Sequence, residues 1–430
     1  NWDDHDRSHR TMARDIGWNY LQSTLPNAIV LNYGDNDTFP LWFNQEVDGV
    51  RTDVRVMNTS YLGGEWYIDE MKTRANDAAP VPFTLPRSKY AFVNDMVRVI
   101  PKVERPVDIR EAMDFFRSED PRTKVPLVDG TTIDYLPAQR LALPVNKDNA
   151  IAAGIVKEED RDLMVDTVYL NLRRGVLDKS ELMVIDLLSN FDWKRPIHFT
   201  QVYILQNLGL TDYLQFDGYS YRLVPILTPY DRRVGEIGRI DPDVIYPLLM
   251  ETFRYGNVSD PRVYVDNFIQ YNLMASGARE AFARAAKAFL RRGGAGDRDK
   301  AVALLDAGLE KMPPAQIRYT FSNTFPFLEA YYAAGEMEKG DALLLSYAEN
   351  LMQYLDYYLA FEGVQGDMVS GLIDDKLDEL GQIYLLAGYA GRRDAVARLN
   401  DYYRTLGATD EDLLHVDAPG EATDSLLPIP

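Results

Sequence analysis

The chain has no cysteine. A thiol nucleophile, a thiolate metal site and a disulfide are therefore excluded, while the compartment stays open, because cysteine-free chains suit reducing and oxidising surroundings alike. Histidine is scarce: His5, His9, His198 and His415 are the four. No apolar run approaches the roughly 18 residues that span a bilayer. Basic residues are outnumbered, 46 Lys and Arg against 66 Asp and Glu, for a net charge of −20. Such a surface repels phosphate backbones and anionic lipid, so neither nucleic-acid binding nor lying on a membrane surface is expected. The chain opens Asn1-Trp2-Asp3, without initiator methionine or signal peptide, and reads as a piece of something longer. The rest is ordinary for a globular chain. Hydrophobic residues make up 46% and charged residues 26% of 430 positions, and that length corresponds to two to four domains at roughly 100–200 residues each.

The pattern changes once along the chain. Over residues 1–235, short apolar runs alternate with amphipathic stretches. The spacing of Met12, Ile16 and Tyr20 predicts a helix over 5–23. A strand is expected over 28–33, a helix over 38–47, a strand over 53–57 and a helix over 66–74. This alternation indicates an α/β domain with a mainly parallel sheet. The proline-punctuated residues 80–106 are expected to leave the sheet locally, and 108–117 to form a short helix. Asp129-Gly130 signals a hairpin between residues 125–128 and 131–135. Residues 165–172 read as a strand. Asp178 and Glu181 fit a capping box ahead of the apolar run Leu182–Leu188. Ile197–Thr200 reads as a further strand of the same sheet.

Residues 236–410 read as almost entirely helical from about 240 on. Second helices of three pairs begin near Lys300, Lys339 and Asp394, each after a glycine-containing turn. Lys339 follows Lys300 by 39 residues and Asp394 follows Lys339 by 55. A regular tetratricopeptide array repeats at about 34 residues. The expectation is therefore an all-α, degenerate tetratricopeptide-like helical-repeat domain. Its many tyrosines suit either a concave binding surface or helix packing, and packing is favoured for most of them. Residues 411–430 read as a tail.

Few residues could carry chemistry. His5 and His9 share a helix face at i and i+4, with Asp3, Asp4 and Asp6 around them, an arrangement able to hold a divalent metal. The competing reading is an acidic helix start. Asp35, Asn36 and Asp37 follow the first strand directly, where ligands collect in open parallel sheets. They could bind a metal or a sugar hydroxyl, or serve as turn and cap residues. Asn58, Ser60 and Thr200 end neighbouring strands and are expected to line the same edge. If helix 5–23 packs back on the strand after it, His5 and His9 approach Asp35 and Asp37. No glycine-rich phosphate loop and no G-x-S-x-G elbow is present, so phosphate cofactors are not supported.

Two stretches carry a resemblance: Asn1-Trp-Asp-Asp-His-Asp-Arg-Ser8 with Ala13-Arg-Asp15, and Gly34-Asp-Asn-Asp-Thr-Phe-Pro-Leu-Trp42 continuing to Glu65-Trp-Tyr67. Trp193-Lys-Arg-Pro-Ile197 and Asp217-Gly-Tyr-Ser-Tyr-Arg-Leu-Val-Pro225 add to it. Over about residues 1–230 the chain resembles the soluble C-terminal region of a family of bacterial multi-pass membrane proteins of unknown function. That family is similar to protein O-mannosyltransferases of the GT-C type. The resemblance implies an N-terminal membrane domain of the same protein as a partner and a place on the extracytoplasmic, periplasmic face of the inner membrane. It implies no catalytic residue in this chain; no cofactor is expected in this piece, and the divalent metal rests on the spacing of His5 and His9 alone. The work expected is that of an accessory region of a glycosyltransferase-like protein, binding or orienting a polypeptide or glycan acceptor or scaffolding a complex. The alternatives are a free-standing metal-dependent hydrolase at the sheet edge and a purely structural repeat scaffold.

Overall fold

The computed structural model describes residues 9–126, 128, 130–230, 236–267 and 277–413. They divide into two compact units. One is Thr11–Gly256, and the other joins His9 and Arg10 to the described residues from Asn257 on. The first is rich in sheet and the second all-helical. Among the described residues, no helix is long and apolar enough to cross a membrane.

The sheet unit opens with helix α1 (Met12–Gln22), strand β1 (Ile29–Asn32), helix α2 (Asp35–Glu46), strand β2 (Arg55–Asn58) and helix α3 (Glu65–Met71). The expected strand–helix–strand unit is there, with β1 parallel to β2 and Ile29 opposite Arg55. All four residues of β1 are buried, which suits a strand covered on both faces. Two starts differ from expectation. Helix α1 begins at Met12 rather than at residue 5. Just before it, the Thr11 hydroxyl donates to the Asp15 carboxylate at 2.9 Å, and that carboxylate also accepts from the Gly256 N–H at 3.0 Å. Helix α2 begins at Asp35, three residues earlier than expected, because Gly34 turns the chain at a φ of 75°, a left-handed value that glycine adopts freely.

The chain continues through β3 (Met96–Val99), β4 (Val107–Asp108), α4 (Ile109–Arg117), β5 (Lys124–Pro126), β6 (Thr132–Leu136), β7 (Arg140–Pro144) and α5 (Lys147–Ala152). It then forms β8 (Thr167–Asn171), β9 (Val176–Asp178), α6 (Lys179–Ser189), β10 (Ile197–Phe199), α7 (Tyr203–Leu208), β11 (Leu214–Phe216), β12 (Tyr221–Leu223) and α8 (Pro242–Pro247). The described residues form three sheets, ordered β11-β12-β10-β1-β2, β5-β6-β3-β9 and β4-β7-β8. The expectation of a mainly parallel sheet is corrected to a mixed one. Strand β10 pairs parallel with β1, as expected for the same sheet, but β12 runs antiparallel to β10 and to β11. The cause is a hairpin. Gly218 adopts a φ of 93°, the Asp217 N–H donates to the Ser220 carbonyl at 2.9 Å, and a turn this short returns the chain antiparallel. Strand β3, inside the proline-punctuated segment, joins the second sheet. Strands β5 and β6 form the expected antiparallel hairpin, with residues 127 and 129 of its turn outside the described residues.

Helix α6 runs through the main core, with Leu182–Leu188 buried throughout. Its capping box is formed: the Glu181 N–H donates to Asp178, and the Asp178 N–H to Glu181, both at 2.9 Å. Asp186 on this helix is fully buried and accepts from the Thr84 and Leu85 amides and from Arg117. The Trp193-Lys-Arg-Pro196 motif is structural. Trp193 is buried and donates to the Pro144 carbonyl at 2.9 Å, and Arg195 donates to the carbonyls of Asn27, Ala79 and Pro80.

The helical unit holds α9 (Ala278–Arg292), α10 (Asp297–Lys311), α11 (Phe321–Ala333), α12 (Met337–Leu359), α13 (Gly363–Tyr389) and α14 (Arg393–Thr405). Gly293, Gly335 and Gly391, all left-handed, punctuate the turns before α10, α12 and α14. These helices start at the three places expected for second helices. Helices α12 and α13 run to 23 and 27 residues, so the pairs follow no single repeat length.

Candidate functional site at the sheet edge

Helix α2 starts directly after β1, so its first turn stands at the carboxyl ends of β1, β2 and β10. Of the two aspartates singled out there, Asp35 is exposed and Asp37 is buried. Asp37 sits three residues after the glycine that precedes the helix and reaches back to accept the Tyr33 amide. It also accepts the Thr200 hydroxyl at 2.7 Å and the Gln201 amide at 3.0 Å. The carboxylate thus fastens α2 to the end of β10. Burial pushes its pKa up, against the pull of those three donors. No cation pairs with it among the described residues.

Thr38 is the second fixed point. Its hydroxyl donates to the Gly34 carbonyl at 2.6 Å and accepts from the side chains of Asn32 and Asn58, each at 3.0 Å. The Asn58 side chain in turn accepts the Ser60 amide at 2.8 Å, and the Ser60 hydroxyl accepts the Gly34 amide at 3.1 Å. Asn58 and Thr200 are buried, while Asn36 and Ser60 are exposed. The predicted residues of this edge thus fall into two adjacent, inward and largely self-satisfied sets, Asp37 with Thr200 and Asn58 with Thr38 and Ser60. The Asn32 Oδ1 is the buried atom left over. The space it borders, about 10 Å³ between β1 and α7, is roughly the room of one water.

Of the pair proposed for a metal, His5 lies outside the described residues, and His9 precedes α1 instead of lying on it. Among the described residues, no group of three or more His, Asp or Glu could hold a metal ion. His198, in the middle of β10, is fully buried. Burial drives its pKa well below the ordinary value, so the ring is neutral. The Leu25 N–H donates to Nε2 at 3.2 Å, which leaves Nδ1 to donate to the Ser220 hydroxyl at 3.0 Å. This histidine ties β10 to the loop before β1 and to the β11–β12 turn.

The sequence reading missed the aromatic surface outside the network. Phe39, Trp42, Tyr61 and Trp66 follow one another with ring centroids 5.8, 6.4 and 6.1 Å apart, each pair tilted by 35–41°. Phe39 and Trp66 are 50% and 60% exposed. Tyr33 and Tyr203, also exposed, meet at 6.3 Å. Tyr61 points its hydroxyl at Asp35, 3.4 Å away. A spacing signal existed in Phe39 and Trp42 at i and i+3; Trp66 and Tyr61 come from another element and carry none.

No curated protein and no solved structure matches this chain. The model of a family described as TMEM260-associated domain 2 matches residues 13–244, more than half of its length and nearly all of the sheet unit. The chain therefore belongs to the family of TMEM260-associated domain 2, a domain linked to a membrane-protein family.

Proposed function

We propose that the chain is the extracytoplasmic accessory region of a membrane glycosyltransferase-like protein, and that it binds and orients a polypeptide acceptor for a membrane domain. The observation that carries this reading is the band Phe39–Trp42–Tyr61–Trp66. Aromatic rings in a row, exposed at Phe39 and Trp66 and half-buried at Trp42 and Tyr61, give a large contact area at little cost in conformational entropy. The polar Asp35 and Asn36 at the band's margin offer acceptors and donors to a backbone. Family membership supports the link to a membrane protein, and the resemblance to GT-C protein O-mannosyltransferases supplies the reaction class.

The helical unit is read as a tetratricopeptide-like platform that scaffolds the complex. Left-handed glycines between paired helices support this, as does the packing of each helix on its neighbour in the chain.

The test uses the full-length membrane protein in detergent or nanodiscs, with Phe39→Ala and Trp66→Ala combined. Both side chains are exposed, so folding is expected to persist. The acceptor KM should rise at least tenfold while the KM for the lipid-linked sugar stays unchanged. Transfer from a lipid-linked sugar by the isolated chain, or an unaltered acceptor KM, overturns the reading.

A further inference from the structure

A second recess in the sheet unit is far larger than the one at the carboxyl edge. It has a volume of about 350 Å³ and lies between the end of α1, the turn after α5, the β11–β12 hairpin and α8. That falls within the range of roughly 300–1,000 Å³ typical of small-molecule sites. Part of its wall comes from the segment Asp217–Pro225, a motif that the sheet-edge site does not use.

Three side chains of that wall are buried and joined to one another. Arg222 faces Asp217 through Nε–Oδ2 at 3.0 Å and donates from Nη2 to Oδ1 at 3.2 Å. It also donates to the Gly154 carbonyl at 2.9 Å. Gln215 donates to Asp217 at 3.0 Å. Around the rim, Lys157 pairs with Asp241 at 2.7 Å and Asp160 with Arg239 at 2.8 Å, and Asp243 stands exposed. Leu25, Ile155, Val156, Val244 and Leu248 supply apolar wall, and Gln22, Ser23, Thr24 and Thr252 add uncharged polar groups.

This lining selects by charge. A charged ligand seated deep in the recess would compete with the Asp217–Arg222 pair, and separating a buried pair leaves one charge uncompensated. A hydroxyl faces no such conflict. It donates and accepts at once, so it can bond a carboxylate oxygen that keeps spare lone pairs and a guanidinium beside it without altering either charge. Several hydroxyls on one side and C–H groups on the other match a wall that is polar on the hairpin and at the end of α1 and that presents the apolar Val244 and Leu248. We propose that the recess binds one unit of a neutral, hydroxyl-rich ring, a monosaccharide or cyclic polyol, held by Gln215, Asp217 and Arg222 and packed against Val244 and Leu248. This site is independent of the aromatic band and goes beyond the acceptor-orienting role.

Saturation-transfer NMR on the whole chain tests it. The probes are glucose, mannose, galactose, N-acetylglucosamine and myo-inositol, each at 10 mM, with glucuronate and glucosamine as charged counterparts. At least one neutral probe should receive saturation and bind more tightly than both charged ones. Val244→Trp, which fills the recess from a half-buried position, should weaken that binding at least tenfold. Trp66→Ala should leave it unchanged, which separates this site from the aromatic band. If Val244→Trp lowers the melting temperature, Leu248→Trp closes the same wall. No saturation of any neutral probe, tighter binding of a charged one, or binding indifferent to a folded wall-filling variant overturns the proposal.

Discussion

Asp35 and Asp37 look alike in the sequence, two residues apart in one loop-like motif, yet the fold gives them opposite tasks. Asp35 faces solvent, and Asp37 is closed in by Thr200, Gln201 and the Tyr33 amide. The distinguishing fact is where the helix starts, which depends on Gly34. The consequence is a pH dependence with a definite sign. Burial raises the Asp37 pKa above its ordinary 3.8, so the folded state holds this proton more tightly than the unfolded chain does. The stability so contributed is fully present below the unfolded value and is lost as pH rises through the raised folded value. Asp37→Asn removes the titrating group. Urea midpoints measured from pH 4 to 7 should show the variant gaining on the native chain as pH increases, and a gap independent of pH would show that the Asp37 pKa is not raised by folding. Asp35→Asn, on the exposed side, should stay within about 0.5 kcal/mol of the native stability across the series.

At the scale of elements, what could be read depended on how local its cause was. The α6 capping box was legible because Asp178 and Glu181 are three residues apart and need no distant partner. The buried β1 was legible as a short apolar run. The start of α1 was not, since Asp15 is tied to Gly256, 241 residues away. Nor was the antiparallel return of β12, which rests on the single turn at Gly218. Among the tyrosines, the packing reading holds for Tyr331, Tyr332 and Tyr347, all buried and donating to acidic side chains of other helices, while Tyr357 and Tyr389 are exposed. The crossing of α1 and α2 adds a demand that no periodicity announces. A Cβ on Gly17 would lie 2.2 Å from the Pro40 carbonyl oxygen, and backbone cannot move aside as a side-chain tip can. Asn44 locks the same contact, donating to the carbonyls of Arg14 and Pro40 at 2.8 Å each. Gly17→Ala should therefore cost about 1–3 kcal/mol, the usual range for overpacking. Chemical denaturation measures it, and a stability equal to the native value would mean the two helices do not cross this closely.

For the molecule as a whole, the contrast between a sheet-bearing first part and a helical second part was plain from the change in periodicity. The division into three sheets was not, because strands of two to five residues leave little pattern. Thr11–Gly256 is compact in itself, and its main core draws on residues from Ile29 to Ile226. A fragment of residues 11–256 should accordingly give one cooperative thermal transition with native-like near-UV circular dichroism. A transition without cooperativity would show that this unit needs the helical one to fold.

In the helical unit, some carboxylates serve three segments at once. Asp306 of α10 takes the Tyr331 hydroxyl of α11 at 3.0 Å and the Lys339 ammonium of α12 at 2.7 Å. Asp341 of α12 takes the Tyr332 hydroxyl of α11 at 3.0 Å and the Arg392 guanidinium just ahead of α14 at 2.6 Å. The two knots share α11 and α12, so a load drawn along the chain from its C-terminal end meets the Asp341 knot first and then the Asp306 knot beneath it. Pulling from that end should therefore release several helices together, and force steps of single-helix length would show that the two carboxylates do not couple their neighbours.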